Sequence, residues 1–180
     1  MARLLKKYKE EVVPALMRDG QYKNVMAVPK IEKIVVSMGI GKATENRNRI
    51  AAAVKDLSLI TGQKPLITRA RKSVAGFKLR KGTEIGCKVT LRGVRMYEFL
   101  DKLISIVIPR IRDFRGLPRN AFDQRGNYNL GIVEQFVFPE VSVERVEFTQ
   151  GMNIAIVVRS KGKEESLRML EMLGMPFRRA

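Results

Sequence analysis

Two stretches of this chain alternate apolar and polar residues with period two, and no other feature limits the fold as strongly. KIEKIVVSMG, residues 30–39, sets Ile34, Val36 and Met38 against Ile31, Lys33, Val35 and Ser37. TEIGCKVTLRG, residues 83–93, sets Ile85, Cys87, Val89 and Leu91 against Gly86, Lys88, Thr90 and Arg92. Successive strand residues point to opposite faces, so each segment has one apolar side and one side that carries cations and hydroxyls. A sheet built from them buries the apolar side under helices and leaves Lys33, Ser37, Lys88, Thr90 and Arg92 open to a ligand. Burial of Thr90 and Arg92 beneath a helix would contradict that arrangement.

Helical spacing fills the intervals. Residues 2–17 place Leu4, Leu5, Tyr8, Val12 and Leu16 on one side, with Pro14 disturbing the helix near its end. After Gly39 and Gly41, Thr44 or Asn46 caps a helix whose buried stripe is Ile50, Ala53, Val54, Leu57 and Ile60, and Gly62 ends it. LITRA, residues 66–70, reads as a strand. A longer helix over Val94–Ile108 turns Met96, Phe99, Leu100, Leu103, Ile104 and Val107 inward and stops at Pro109. DFRGLPRNAFDQRGN, residues 113–127, reads as an irregular loop too long to be idle. YNLGIVEQFVF and NIAIVVRS give two more strand signals, and a last helix over Lys163–Leu173 ends at Gly174 and Pro176. Strands and helices mix without steady βαβ alternation. The expected architecture is α+β: an antiparallel-dominated twisted sheet with helices packed on one face, a long basic loop between two strands, and a single domain over residues 1–180.

Charge then narrows the function. Thirty-five Lys and Arg against eighteen Asp and Glu give a formal charge of +17 in 180 residues, and such self-repulsion usually finds compensation in a polyanion, above all nucleic acid. The chain has no histidine and one cysteine, Cys87, which reads as a small buried apolar residue. His-based triads, Cys–His pairs and ordinary zinc sites are thereby excluded, no disulfide can form within the chain, and no cofactor or metal is expected. MARLLKKYKEE becomes charged before any signal-like apolar run, and the apolar stretch near Ile104–Ile108 is far too short to span a bilayer. The expectation is a soluble cytoplasmic protein with no membrane partner.

One motif imitates an enzyme. SMGIGKAT, residues 37–44, resembles a phosphate-binding loop, but the pattern GxxxxGK[ST] requires Gly and Ser or Thr where this chain has Val36 and Ala43, and GxGxxG fails at Thr44. The plainer reading is a turn whose glycines permit unusual backbone angles. A nucleotide-dependent enzyme on this loop is the rival from another class; saturable ATP or GTP binding with Mg²⁺ would favour it.

From Leu57 to Thr83 there is no Asp or Glu but seven cations: Lys64, Arg69, Arg71, Lys72, Lys78, Arg80 and Lys81. A solvated face normally interleaves both signs, so this depletion points to phosphates, with Gly76 and Gly82 allowing close approach to a backbone. Phe77 reads first as an anchor for the loop and second as a ring on which a base stacks. ARKSVAGFKLRKG, residues 70–82, suits a mobile finger. By contrast, Glu134, Glu140, Glu144 and Glu147 answer only Arg145 over residues 134–147; that patch is either an ordinary solvated face or a docking surface for a basic protein.

VPKIEKIVVSMGIG, LSLITGQKPLITRARKSVAGFKLRKG and FRGLPRNAFDQRGNYNLGIVEQFVFPE together resemble bacterial large-subunit ribosomal protein five, the 5S rRNA-binding family, in order and over essentially the whole chain. The resemblance implies an α+β fold without catalysis, placed in the central protuberance among other ribosomal proteins, attaching 5S rRNA to 23S rRNA. It implies 5S rRNA contacts at Lys33, Ser37, Gln63, Thr90 and Arg92. The family usually carries Asn at the position of Ser37, and a hydroxyl keeps a hydrogen-bonding group while losing the amide's reach. The resemblance further implies a P-site tRNA-facing loop with Arg71, Lys72, Gly76, Phe77, Lys78, Arg80 and Lys81. It also implies a bridge to small-subunit ribosomal protein thirteen through Arg112, Arg115, Glu134, Glu140, Glu144 and Glu147. An extra-ribosomal nucleic-acid chaperone is the rival of the same chemistry.

Overall fold

A computed structural model describes residues 2–19, 22–44, 46, 48–142 and 148–178. Within them β1 (Lys30–Gly39), β2 (Leu66–Arg69), β3 (Glu84–Leu91), β4 (Tyr128–Ile132) and β5 (Met152–Arg159) form one antiparallel sheet in the order β2-β3-β1-β5-β4. Five helices, α1 (Arg3–Lys7), α2 (Val13–Arg18), α3 (Asn48–Thr61), α4 (Gly93–Lys102) and α5 (Lys163–Leu173), complete an α+β architecture. Period two is visible in burial. Ile34, Val36 and Met38 of β1 are buried while Lys33, Val35 and Ser37 are half-buried, and Met152, Ile154, Ile156 and Val158 repeat the pattern on β5. Each fully buried aliphatic side chain of this kind contributes about 1.5–3 kcal/mol of hydrophobic stabilisation.

The chain divides into two compact units. The first comprises Met1–Ile34, Leu91–Leu130 and Ala155–Ala180. Here the N-terminal helix accommodates Pro14 differently from expectation. A π-helical turn, Tyr8–Val12, separates α1 from α2, and Pro14 falls in the first turn of α2, where a missing N–H costs little. The helix therefore runs on to Arg18, with Leu4, Val12 and Leu16 buried. α1 packs on α4, and the Arg3 guanidinium donates to the Asp101 carboxylate and to Ser105 Oγ (3.0 Å). α4 continues through a π-helical turn, Leu103–Val107, into a 3₁₀ turn, Ile108–Arg110, which again takes a proline in its first turn; Pro109 thus extends the helix beyond its expected end.

The loop after α4 is organised by its side chains. Asp123 accepts from the backbone N–H groups of Arg125 (2.9 Å) and Asn127 (2.7 Å) and from the Asn127 amide (2.7 Å). Asn127 in turn accepts from Val158 N–H on β5 (3.1 Å). Phe122, Tyr128 and Phe177 form an aromatic cluster, with Tyr128 edge-on to Phe177 at 5.4 Å and Phe122 at 4.7 Å from Tyr128. The Tyr128 hydroxyl donates to Pro118 O (3.2 Å). α5 ends as expected at Gly174, whose φ of +103° is a left-handed cap.

The second unit comprises Val35–Thr90 and Gly131–Ile154. Asn46, not Thr44, caps α3: its Oδ1 accepts from Asn48 N–H at 2.9 Å. Ile50, Ala53, Leu57 and Ile60 are buried as the spacing requires, Val54 only half so, and Gly62 ends the helix with φ +63°. Buried Gln135 spends its amide fully, donating to Phe148 O (2.7 Å) and accepting from Gln150 N–H (2.6 Å), while the Gln150 amide reaches Gly39 O (2.9 Å). Gly86, placed by alternation on the open side, is buried; a Cβ there would lie 2.5 Å from Met38 O, so only glycine lets β3 approach the end of β1.

β2 and β3 pair as the two arms of a hairpin, with Leu66 opposite Lys88 and Arg69 opposite Glu84. The basic stretch between them is more ordered than a free finger. Its base is closed by Ala70 N–H to Thr83 O (2.8 Å) and Gly82 N–H to Ala70 O (2.9 Å). Its tip is a second, smaller hairpin: Val74 and Leu79 exchange hydrogen bonds of 2.9 and 3.1 Å around the 3₁₀ turn Ala75–Phe77. The Ser73 hydroxyl accepts from Lys81 N–H at 2.9 Å. Lys78 adopts the left-handed conformation, φ +50° and ψ +34°, which costs a non-glycine residue roughly 1–2 kcal/mol.

Candidate nucleic-acid interface

The backbone hydrogen bonds of residues 70–83 close the base and tip of the excursion and leave the side chains outward. Arg71, Lys72, Gly76, Phe77, Lys78, Arg80 and Lys81 are all exposed. Phe77 is the clear correction: the residue is 76% exposed, so it does not anchor the loop against the described residues. Of its two readings only the outward ring fits, because an apolar side chain held in water without a partner is available for stacking.

The loop cations are not equivalent. Arg69, Lys78 and Arg80, with the hydroxyl-bearing Thr44 and Thr83, line a cavity of about 460 Å³ together with Glu84. Arg69 Nη2 lies 3.1 Å from Glu84 Oε1, across the last register position of the hairpin base. Arg69 belongs to the acid-free cation tract of the sequence, whereas Thr44 and Thr83 carry no local signal of a ligand-facing role; their place beside Arg69 follows from the hairpin register and the turn Gly41–Thr44. Lys42, the lysine of the imitated phosphate loop, is exposed in the 3₁₀ turn Gly41–Thr44 and does not line this cavity.

Among the residues assigned to the open sheet side, Ser37, Gln63 and Thr90 of the second unit are half-buried. Gln63 follows the left-handed Gly62, and its carbonyl accepts from the Thr61 hydroxyl at 3.2 Å, which fixes where its side chain emerges. In the first unit Lys33 is half-buried on β1, while Arg92 is exposed as the residue before α4. Neither Thr90 nor Arg92 is buried under a helix. Arg92 stands 3.8 Å from the Glu32 carboxylate, an exposed pair worth about 0–1 kcal/mol and thus readily surrendered to a phosphate.

The assigned bridge residues divide between the units. Arg112 and Arg115 of the first are exposed, Arg112 with its side chain 94% accessible and 3.8 Å from Asp113. In the second unit Glu134 is half-buried and Glu140 exposed, whereas Glu144 and Glu147 lie outside the described residues. Arg119 is spent internally on Glu171 (2.9 Å) and Arg178 O (3.0 Å). Cys87 is buried, and desolvation, reinforced by the charge of Asp56, pushes its thiol up to about 11. Among the described residues no group of three His, Cys, Asp or Glu could hold a metal ion, and no helix is long and apolar enough to cross a membrane.

Comparison with known proteins gives a consistent answer along the chain. The family described as ribosomal protein L5 matches residues 24–80, and the ribosomal L5P family C-terminus matches residues 84–177. The large ribosomal subunit protein uL5 of Thermoanaerobacter sp. (strain X514) is 57% identical over 177 residues, 98% of this chain and 99% of the relative. That of Syntrophomonas wolfei is 54% identical over 178 residues, 99% of this chain and 100% of the relative, and that of Alkaliphilus oremlandii 58% over 177, 98% and 99%. With family matches over residues 24–80 and 84–177 and identities above half over nearly the whole length, this chain belongs to the ribosomal protein L5 family.

Proposed function

We propose that the chain is a structural, non-catalytic constituent of the bacterial large ribosomal subunit, acting in the cytoplasmic ribosome as a single RNA-binding domain over residues 1–180. It binds 5S rRNA and helps attach it to 23S rRNA in the central protuberance, beside other ribosomal proteins. The observation that carries this reading is the near-full-length similarity to large-subunit relatives in a chain of formal charge +17. Lys33, Ser37, Gln63, Thr90 and Arg92 form the anchoring 5S rRNA contacts: partly covered hydroxyl and amide groups supply directional bonds, and exposed Arg92 supplies charge. The excursion with Arg71, Lys72, Gly76, Phe77, Lys78, Arg80 and Lys81 faces P-site tRNA, where exposed cations and one outward ring suit a transient partner. Arg112, Arg115, Glu134, Glu140, Glu144 and Glu147 face small-subunit ribosomal protein thirteen, a basic partner for the carboxylates.

The test is competition binding at one fixed, moderate salt concentration. The chain should prefer 5S rRNA over tRNA and over duplex DNA by a wide margin, because charge alone discriminates little among polyanions. Comparable affinity for all three would defeat the reading and favour a general nucleic-acid chaperone.

A further inference from the structure

We propose that the groove at the foot of the basic excursion is a fixed phosphate site, gripping the sugar–phosphate backbone of an RNA strand without reading its bases. Among the described residues its lining is one-sided in charge: Arg69, Lys78 and Arg80 against one carboxylate, Glu84, which Arg69 already engages at 3.1 Å. Among the described residues no ion pair occupies Lys78 or Arg80, so two cations face the groove uncompensated. Thr44 and Thr83 add hydroxyls; that of Thr44 donates only a long 3.3 Å bond to Gly41 O and can swing to a phosphate oxygen. Ala43 and Ile50, both buried, form an apolar floor that fixes the depth.

Two observations make this a site and not merely a charged surface. The volume, about 460 Å³, suits a nucleotide-sized segment. Lys78 contributes to the lining from a left-handed backbone that a lysine adopts only at an energetic cost, and strain of this kind collects where a side chain is needed in one place. Among the described residues no aromatic side chain lines the groove, and Phe77 is not among its walls. A base would find nothing to stack on, which favours a strand held by its backbone over a free nucleotide. The excursion therefore carries two functions: Arg71, Lys72 and Lys81 form a general electrostatic rim, and Lys78 and Arg80 belong with Arg69 to the grip.

The inference rests on reading the chain as an RNA binder, and the experiment separates the two. Full-length protein is titrated into a fluorescent hexauridylate at fixed salt, comparing Lys78→Asn/Arg80→Gln with Arg71→Gln/Lys72→Gln; both remove two charges, and Asn tolerates the left-handed backbone. The groove variant should lose about tenfold or more in affinity and the rim variant only about two- to threefold, as directed bonds exceed diffuse attraction. Glu84→Gln, which removes the one acid among the described lining residues, should tighten binding. Equal losses in the two double variants, or unchanged or weaker binding by Glu84→Gln, would overturn the site. Uridine monophosphate binding as tightly as the hexamer would overturn the choice of a strand. Retained preference for 5S rRNA alongside equal losses sinks only this inference, whereas loss of that preference sinks the broader reading.

Discussion

Two long connections of this protein, residues 70–83 and 113–127, read as loops in the sequence, and they are ordered by opposite means. The first is closed by its main chain: paired N–H and C=O groups at the base and tip leave nearly every side chain facing water. The second is closed by its side chains: Asp123 captures two backbone N–H groups, Phe122 and Tyr128 pack on Phe177, and Arg119 bonds Glu171. A loop held by its backbone keeps its side chains for a partner. One held by its side chains has largely committed them, and the outward charge that remains is on Arg115 and Arg125, with Arg112 just before the loop.

Substitutions can break this contrast. Tyr128→Ala should produce the largest effect: emptying the centre of the aromatic cluster should destabilise the chain by about 3–5 kcal/mol in urea unfolding. Asp123→Ala should cost about 0.5–1.5 kcal/mol, the net worth of exposed hydrogen bonds whose donors water can satisfy. Its pH dependence provides a sharper reading. Hydrogen bonds, chiefly from the Asn127 side chain, hold the Asp123 carboxyl below its ordinary value of 3.8. Its contribution is therefore fully present above that value and is lost as pH falls through the lowered folded value. Wild type should lose stability relative to Asp123→Ala only in that acid range; a constant difference down to pH 2 would contradict the assignment. Phe77→Ala should be smallest, within about 0.5 kcal/mol of wild-type stability. A larger loss would mean that the ring has an internal partner after all.

Much of the frame was legible because it follows from local periodicity. Residues 30–39 form β1 and Lys163–Leu173 form α5 as read, and Gly62 and Gly174 stop their helices in left-handed conformations. What escaped depended on distant backbone. Gly86 sits by parity with Lys88 and Thr90, yet the nearness of Met38 O, invisible in a linear reading, buries it. Pro14 reads as a disturbance near a helix end and Pro109 as a stop, whereas a preceding π-helical turn lets each fall in the first turn of the next helical segment. The inner hairpin of the basic stretch was hidden because its turn places a lysine, Lys78, where turn chemistry would suggest glycine or asparagine. The candidate contact residues were legible by type and exposure; the division of the loop cations between groove and rim was not, since it requires Thr44 and Arg69 to meet them in space.

The burial of Cys87 has a practical side. With the thiol shifted to about 11, only on the order of one molecule in ten thousand carries a thiolate at pH 7, and that sulfur is screened from reagents. The native protein is thus chemically silent toward maleimides. A cysteine introduced in place of outward-facing Phe77 would be the one reactive handle, so a fluorophore at the tip of the excursion could report its distance from labelled RNA while translation proceeds.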